Sequence, residues 1–127
     1  MEKKDLLKDV IKHIDIKSYD STQLVDAMRN MSFTSRDTAR AADILMMMCK
    51  EKECTNILTL AGSTSAAGCM QVYVDMVRNK MIDVVVATGA SIIDMDLFEA
   101  LGYKHYIGEK ENVIPDTTLR DLYIDRI

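Results

Sequence analysis

Apolar positions in the first fifty residues recur at helical spacing. Leu6, Leu7, Val10, Ile11 and Ile14 form one stripe and predict an opening amphipathic helix. Asp20, Ser21 and Thr22 supply N-cap oxygens for a second helix, with Leu24, Val25, Met28 and Met31 facing inward. Thr34 or Ser35 is placed to cap a third, over about 36–50. Its Ala39, Ala42, Ile44, Leu45, Met46, Met48 and Cys49 make it apolar on more than one face, the pattern of a buried helix.

At Thr55 the period changes. Thr55-Asn56-Ile57-Leu58-Thr59-Leu60 is short and rich in β-branched residues, as a buried strand is. It runs into the small-residue stretch from Ala61 to Gly68, then a helical pattern over about 69–78 that Asn79-Lys80 closes. Residues 81–87 read as a second strand and Thr88-Gly89-Ala90-Ser91 as a second small-residue loop. A short helix over 94–101 is stopped by Gly102, where a left-handed cap is expected. Residues 103–107 read as a third strand, and Pro115 opens a last short helix.

Alternating strands and helices after a helical start predict an α/β fold, a mostly parallel sheet flanked by helices. The expected division is an N-terminal helical segment, 1–54, and a βαβ part, 55–127. The final Ile124-Asp125-Arg126-Ile127 starts an apolar element that reads as unfinished, so the sequence is expected to be part of a longer fold.

Composition narrows the function. The chain has 127 residues, 48% hydrophobic and 28% charged, which fits one globular domain. Its net charge of −4 lacks the clustered Lys and Arg of a nucleic-acid binder. No apolar run is long enough for a membrane span and no signal peptide opens the chain, so no membrane partner is expected. Cys49, Cys54 and Cys69 form no C-x-x-C pair and have no zinc spacing; they read as buried packing thiols of a cytoplasmic protein, and no metal site is expected.

The two loops carry the chemistry. Each follows a strand, is built of small residues and leads into a helix, so a ligand can approach the backbone and meet unpaired N–H groups. On consecutive parallel strands they would share the carboxyl edge of the sheet, where open α/β folds bind nucleotides; tight packed turns are the plainer alternative. Gly62-x5-Gly68 matches neither G-x-G-x-x-G nor a Walker loop, nor the G-x-S-x-G elbow. Asp94 could hold a ribose hydroxyl or a cationic amine, or simply cap the helix. Asp94 and Asp96, two residues apart on a helix, point away from each other and form no acid–base pair. His105 could serve as a base or ligand, or as a structural histidine.

The same loops resemble the deoxyhypusine synthase family. The resemblance is carried by residues 58–68, by 81–90, by Phe98-Glu99-Ala100-Leu101-Gly102-Tyr103-Lys104-His105-Tyr106-Ile107-Gly108, and by 119–127, in order and at matching spacing. It implies a Rossmann-like fold of which this chain holds the first half, NAD as cofactor, and a homo-oligomer or a complementary C-terminal half as partner. It implies transfer of an aminoalkyl group from a polyamine such as spermidine to a lysine or a small amine, of deoxyhypusine or homospermidine type. A hypusine-bearing translation factor is the acceptor in the protein-modifying branch. By position, Gly62, Ser63, Thr64, Ser65 and Ala66 match the first NAD-contacting loop, Thr88, Gly89 and Ala90 the second, and Asp94 the acidic pair that meets ribose or polyamine.

Three departures from the protein-modifying enzymes, Ser63 for asparagine, Ala66 for serine and Ala87 for threonine, fit a polyamine-making relative, or one of undefined substrate, better than a protein-modifying one. No catalytic residue is assigned, because the family's nucleophilic lysine lies in a later region. Lys104 is the sole lysine in an expected strand, and the others, Lys110 among them, fall on polar faces, element ends or loops. A non-catalytic subunit and a small nucleotide-binding module are the alternatives.

Overall fold

A computed structural model describes residues 1–108 and 113–127. In chain order it contains α1 (Lys3–Leu6), a 3₁₀ turn (Ile16–Ser18), α2 (Thr22–Met28), α3 (Phe33–Lys50) and β1 (Ile57–Leu60). A π turn (Ser65–Cys69) leads into α4 (Met70–Arg78), and β2 (Val84–Ala87) follows. Then α5 (Gly89–Ser91), a second π turn (Ile92–Leu97) and α6 (Phe98–Ala100) run on without a break, and α7 (Asp116–Asp121) comes last. These elements form two compact units. One comprises Ile14–Leu60 and Gln71–Val86, the other Met1–His13, Ala61–Met70 and Ala87–Ile127.

In the first of these, α2 packs on α3, and β1 lies beside β2 in a small parallel sheet. Asn56 staples the two strand starts. Its backbone N–H donates to the Asp83 carboxylate at 2.8 Å and its amide to the Met81 carbonyl at 3.0 Å. Its own carbonyl accepts from the N–H groups of Asp83 and Val84. Lys17 in the 3₁₀ turn reaches the buried Asp75 of α4 at 2.8 Å. Hydrogen bonding to Lys17 holds the Asp75 carboxyl below its ordinary value, and the same bond raises Lys17. The sequence predicts α3 as buried, yet only Ala39 is fully covered, while Ile44, Met46 and Met47 are exposed. The expected inward faces of Leu24 and Met31, and the valines Val84–Val86, are exposed as well. Periodicity marks a face that is apolar; it does not say that anything within the chain covers it. The cysteines are not buried thiols either: Cys49 is exposed, and Cys54 and Cys69 are half-covered.

In the other unit, the expected opening helix stops at Leu6. Val10 turns extended and pairs antiparallel with Tyr106, with Ile11 N–H bonded to the His105 carbonyl and Ile107 N–H to that of Asp9. Residues 103–107 are therefore not a third parallel strand. They pair with the N-terminal segment, because the turn at Gly102 redirects the chain. That turn forms as predicted: Gly102 has φ +99°, Tyr103 N–H returns to the Phe98 carbonyl, and the two rings meet edge to face at 5.9 Å. Met95, Ala66 and Leu119 form the buried apolar centre of this unit. Among the described residues no helix is long and apolar enough to cross a membrane.

Candidate functional site

Both small-residue loops belong to the second unit, and one bond ties them together. Ser91, fully buried, donates its hydroxyl to the Gly62 carbonyl at 2.7 Å. The loops are otherwise unalike. In the first, Ser65, Ala66 and Gly68 are buried, and the hydroxyls of Thr64 and Ser65 are shielded from solvent without a hydrogen-bond partner among the described residues. Unpaired buried hydroxyls are costly, and they suit a ligand or a water that has hydrogen bonds to exchange. In the second, Thr88, Gly89 and Ala90 are exposed, and Gly89–Ser91 is already the first turn of a helix rather than a loop.

A cavity of about 600 Å³ opens beside the first loop. Ser63, Ala66 and Ala67 form part of its wall, with the N-terminal residues from Asp5 to Asp9, the His105–Gly108 segment and the last residues of the chain. That volume suits a small organic ligand. Thr88, Gly89, Ala90 and Asp94 do not line it. Asp94 is exposed, whereas Asp96 carries a buried carboxylate oxygen with no partner among the described residues. Lys104 is exposed, and Lys110 lies outside the described residues.

His105 is where the sequence reading was least complete. Its Nδ1 lies 2.7 Å from Glu99 Oε1, and the other oxygen of the same carboxylate lies 2.6 Å from His13 Nε2. The Glu99 side chain is 6% exposed, so the carboxylate is buried between two imidazoles. Burial pushes the Glu99 carboxyl up, but the bonds from His105 and His13 outweigh it and hold it below its ordinary value. Glu99 and His105 flank the Gly102 turn, and an acid and a histidine on either side of a helix stop were a signal available in the sequence. His13 had none, since it reaches this site from 86 residues away along the chain. Among the described residues no three His, Cys, Asp or Glu side chains are placed to share a metal ion.

Comparison with known proteins gives this geometry a family. The family model described as deoxyhypusine synthase matches residues 23–127. A deoxyhypusine synthase-like protein of Caulobacter vibrioides is 61% identical over 126 residues, covering 99% of this chain and 34% of that protein. Another, from Chlorobaculum tepidum, is 50% identical over 127 residues, covering all of this chain and 36% of the relative. A probable deoxyhypusine synthase 2 of Methanosarcina acetivorans is 36% identical over 114 residues, 90% of this chain and 32% of that protein. The chain thus spans about a third of the length of the curated relatives it matches.

Proposed function

The chain belongs to the deoxyhypusine synthase family, and from that premise we propose that it is the NAD-cradling part of an aminoalkyl transferase. Residues 55–127 contribute the first βαβ part of a Rossmann-like domain and 1–54 a helical lead. Gly62, Ser63, Thr64, Ser65 and Ala66 form one side of the cofactor site, Thr88, Gly89 and Ala90 the other, and Asp94 meets a ribose hydroxyl or an amine. The observation that carries this reading is the Ser91–Gly62 bond at 2.7 Å, which joins the loops, beside the unpartnered hydroxyls of Thr64 and Ser65. These residues fit a dinucleotide: donors and close backbone approach in the first loop, small side chains in the second. When bound, NAD supplies the hydride acceptor for oxidising the amine donor.

The donor is a polyamine such as spermidine, and the acceptor a lysine, including that of a hypusine-bearing translation factor, or a small amine. The chain works in the cytoplasm, as a homo-oligomer or with a complementary C-terminal part that brings the nucleophilic lysine. The test has two arms. NAD titrated into the 15N-labelled chain is expected to shift the amides of 62–66 and 88–91; unchanged amides at millimolar NAD would overturn the cofactor site. The chain with NAD and spermidine is expected to form neither NADH nor a borohydride-trapped adduct, and both are expected once a lysine-bearing C-terminal part is added. An adduct trapped on the chain alone would move the active site elsewhere.

A further inference from the structure

We propose that His105 is a proton acceptor for a primary ammonium group bound in the 600 Å³ cavity, with Glu99 as its positioning residue. This rests on the amine-transfer reading and adds a residue to it. The argument starts from the carboxylate. An ionised Glu99 can only accept hydrogen bonds, so the His105 nitrogen 2.7 Å away, Nδ1, must carry a proton. In neutral His105 that leaves Nε2 with the lone pair, the reverse of a histidine whose Nε2 carries the proton. Glu99 is itself held from the other side, because His13 Nε2 donates to its second oxygen at 2.6 Å. Both oxygens are thereby committed, and the carboxylate cannot swing away from His105 without giving up a buried bond.

His105 stands in the cavity wall, and among the described residues Asp5, Lys8, Asp9, Asp125 and Arg126 are the charged side chains that line the same cavity. An amine nucleophile must lose a proton before it can attack carbon. The step balances simply. The ammonium N–H bond breaks, its electron pair stays on the amine nitrogen, and the proton bonds to His105 Nε2. The resulting imidazolium faces the Glu99 carboxylate, so the positive charge is compensated where it forms.

The test uses the full chain with 15N-labelled histidine and spermidine as the probe, read by long-range proton–nitrogen NMR at slightly alkaline pH. His105 is expected as the Nδ1–H form in the free chain, and its Nε2 signal is expected to move when spermidine is added, as that nitrogen accepts a hydrogen bond from the ammonium. In Glu99→Gln the Nδ1–H form should no longer dominate and spermidine affinity should fall about tenfold. An Nε2–H form of His105 in the unaltered chain overturns the inference, and it does so even if Glu99→Gln fails to fold. Spermidine that shifts the Ser63 and Ala66 amides but leaves the His105 Nε2 signal in place overturns it too, while the amine reading stands. If spermidine shifts nothing, both fail.

Discussion

The two small-residue loops look interchangeable in composition and are opposites in structure. Gly62 to Gly68 is packed at its centre: Ser65, Ala66 and Gly68 are buried, its ends turn at positive φ, and the N-terminal segment lies against it at Gly68. Thr88 to Ala90 is open, and the buried Ser91 that follows ties it to the first loop through its hydroxyl. The difference is one of what glycine is for. In the first loop glycine permits a backbone path that other residues resist; in the second it occupies an ordinary helical turn. A loop of the first kind has its shape fixed before any ligand arrives. A loop of the second kind is free to be reshaped by one.

The largest effect should come from Gly68→Ala. Gly68 has φ +105°, and a Cβ there would lie 3.2 Å from the Lys12 carbonyl oxygen. The backbone strain and the close contact act together, and each belongs to the costly class of substitutions. A loss of about 2–3 kcal/mol in urea unfolding is expected. A loss below half a kcal/mol would mean that the N-terminal segment is not seated on the first loop.

Acid should release the same segment by another route. His13, next to Lys12, is held by Glu99, whose carboxyl lies below its ordinary 4.5. A depressed carboxyl binds its proton less readily when folded. Its contribution is therefore complete above the unfolded value and is lost as pH falls through the folded one. Stability should drop on acidification from pH 5 toward 3, and Glu99→Gln should flatten that drop, read by denaturant midpoints across the range. An unchanged slope in the variant would remove Glu99 from the account. Asp75 has the same sign, whereas its partner Lys17, raised above 10.5, loses its contribution as pH climbs through the folded value.

Much of this was legible in the sequence, and what was not has physical causes. The strands β1 and β2, the helix α4 between them and the Gly102 stop were readable because strand propensity, helical spacing and a C-terminal glycine act locally, whereas the expected strand at 103–107 pairs with Val10 instead. The small-residue stretch after β1 was readable too, whereas Thr88 to Ser91, expected as a loop, enters the first turn of α5. The N-terminal stripe misled: Leu6 to Ile14 has helical spacing, but tertiary pairing with Tyr106 outweighs it beyond Leu6. Tyr123 closes α7 at positive φ, where glycine would be expected, so composition did not flag it, while Lys80 takes the same conformation at the helix end that Asn79-Lys80 marked. The Glu99 cluster was hidden for a different reason, since half of it arrives from the far end of the chain.

A smaller loss is expected for Ser91→Ala. The change deletes the one bond between the loops and leaves the Gly62 carbonyl without that donor, which should cost about 1 kcal/mol. Its second consequence is more telling. If the open loop depends on the packed one for its position, the amides of 88–90 should shift in NMR spectra while those of 64–68 stay in place. Equal shifts in both would mean that the first loop is not the rigid member of the pair.

The smallest effect, and the one with the opposite sign, belongs to Gly89→Ala. Gly89 has no positive φ, lies in the first turn of α5, and a Cβ there would meet nothing within 4 Å. Replacing glycine by alanine in a helix that tolerates the side chain removes freedom from the unfolded chain and adds none to the folded one. A gain of about 0.5 kcal/mol is expected in the same unfolding measurement. NAD binding supplies the sharper reading. If glycine stands in the second loop to let a phosphate or ribose approach the backbone, the variant should bind NAD more weakly even as the chain grows more stable. If affinity rises with stability, Gly89 is a packing residue, and the cofactor is held by the first loop without it.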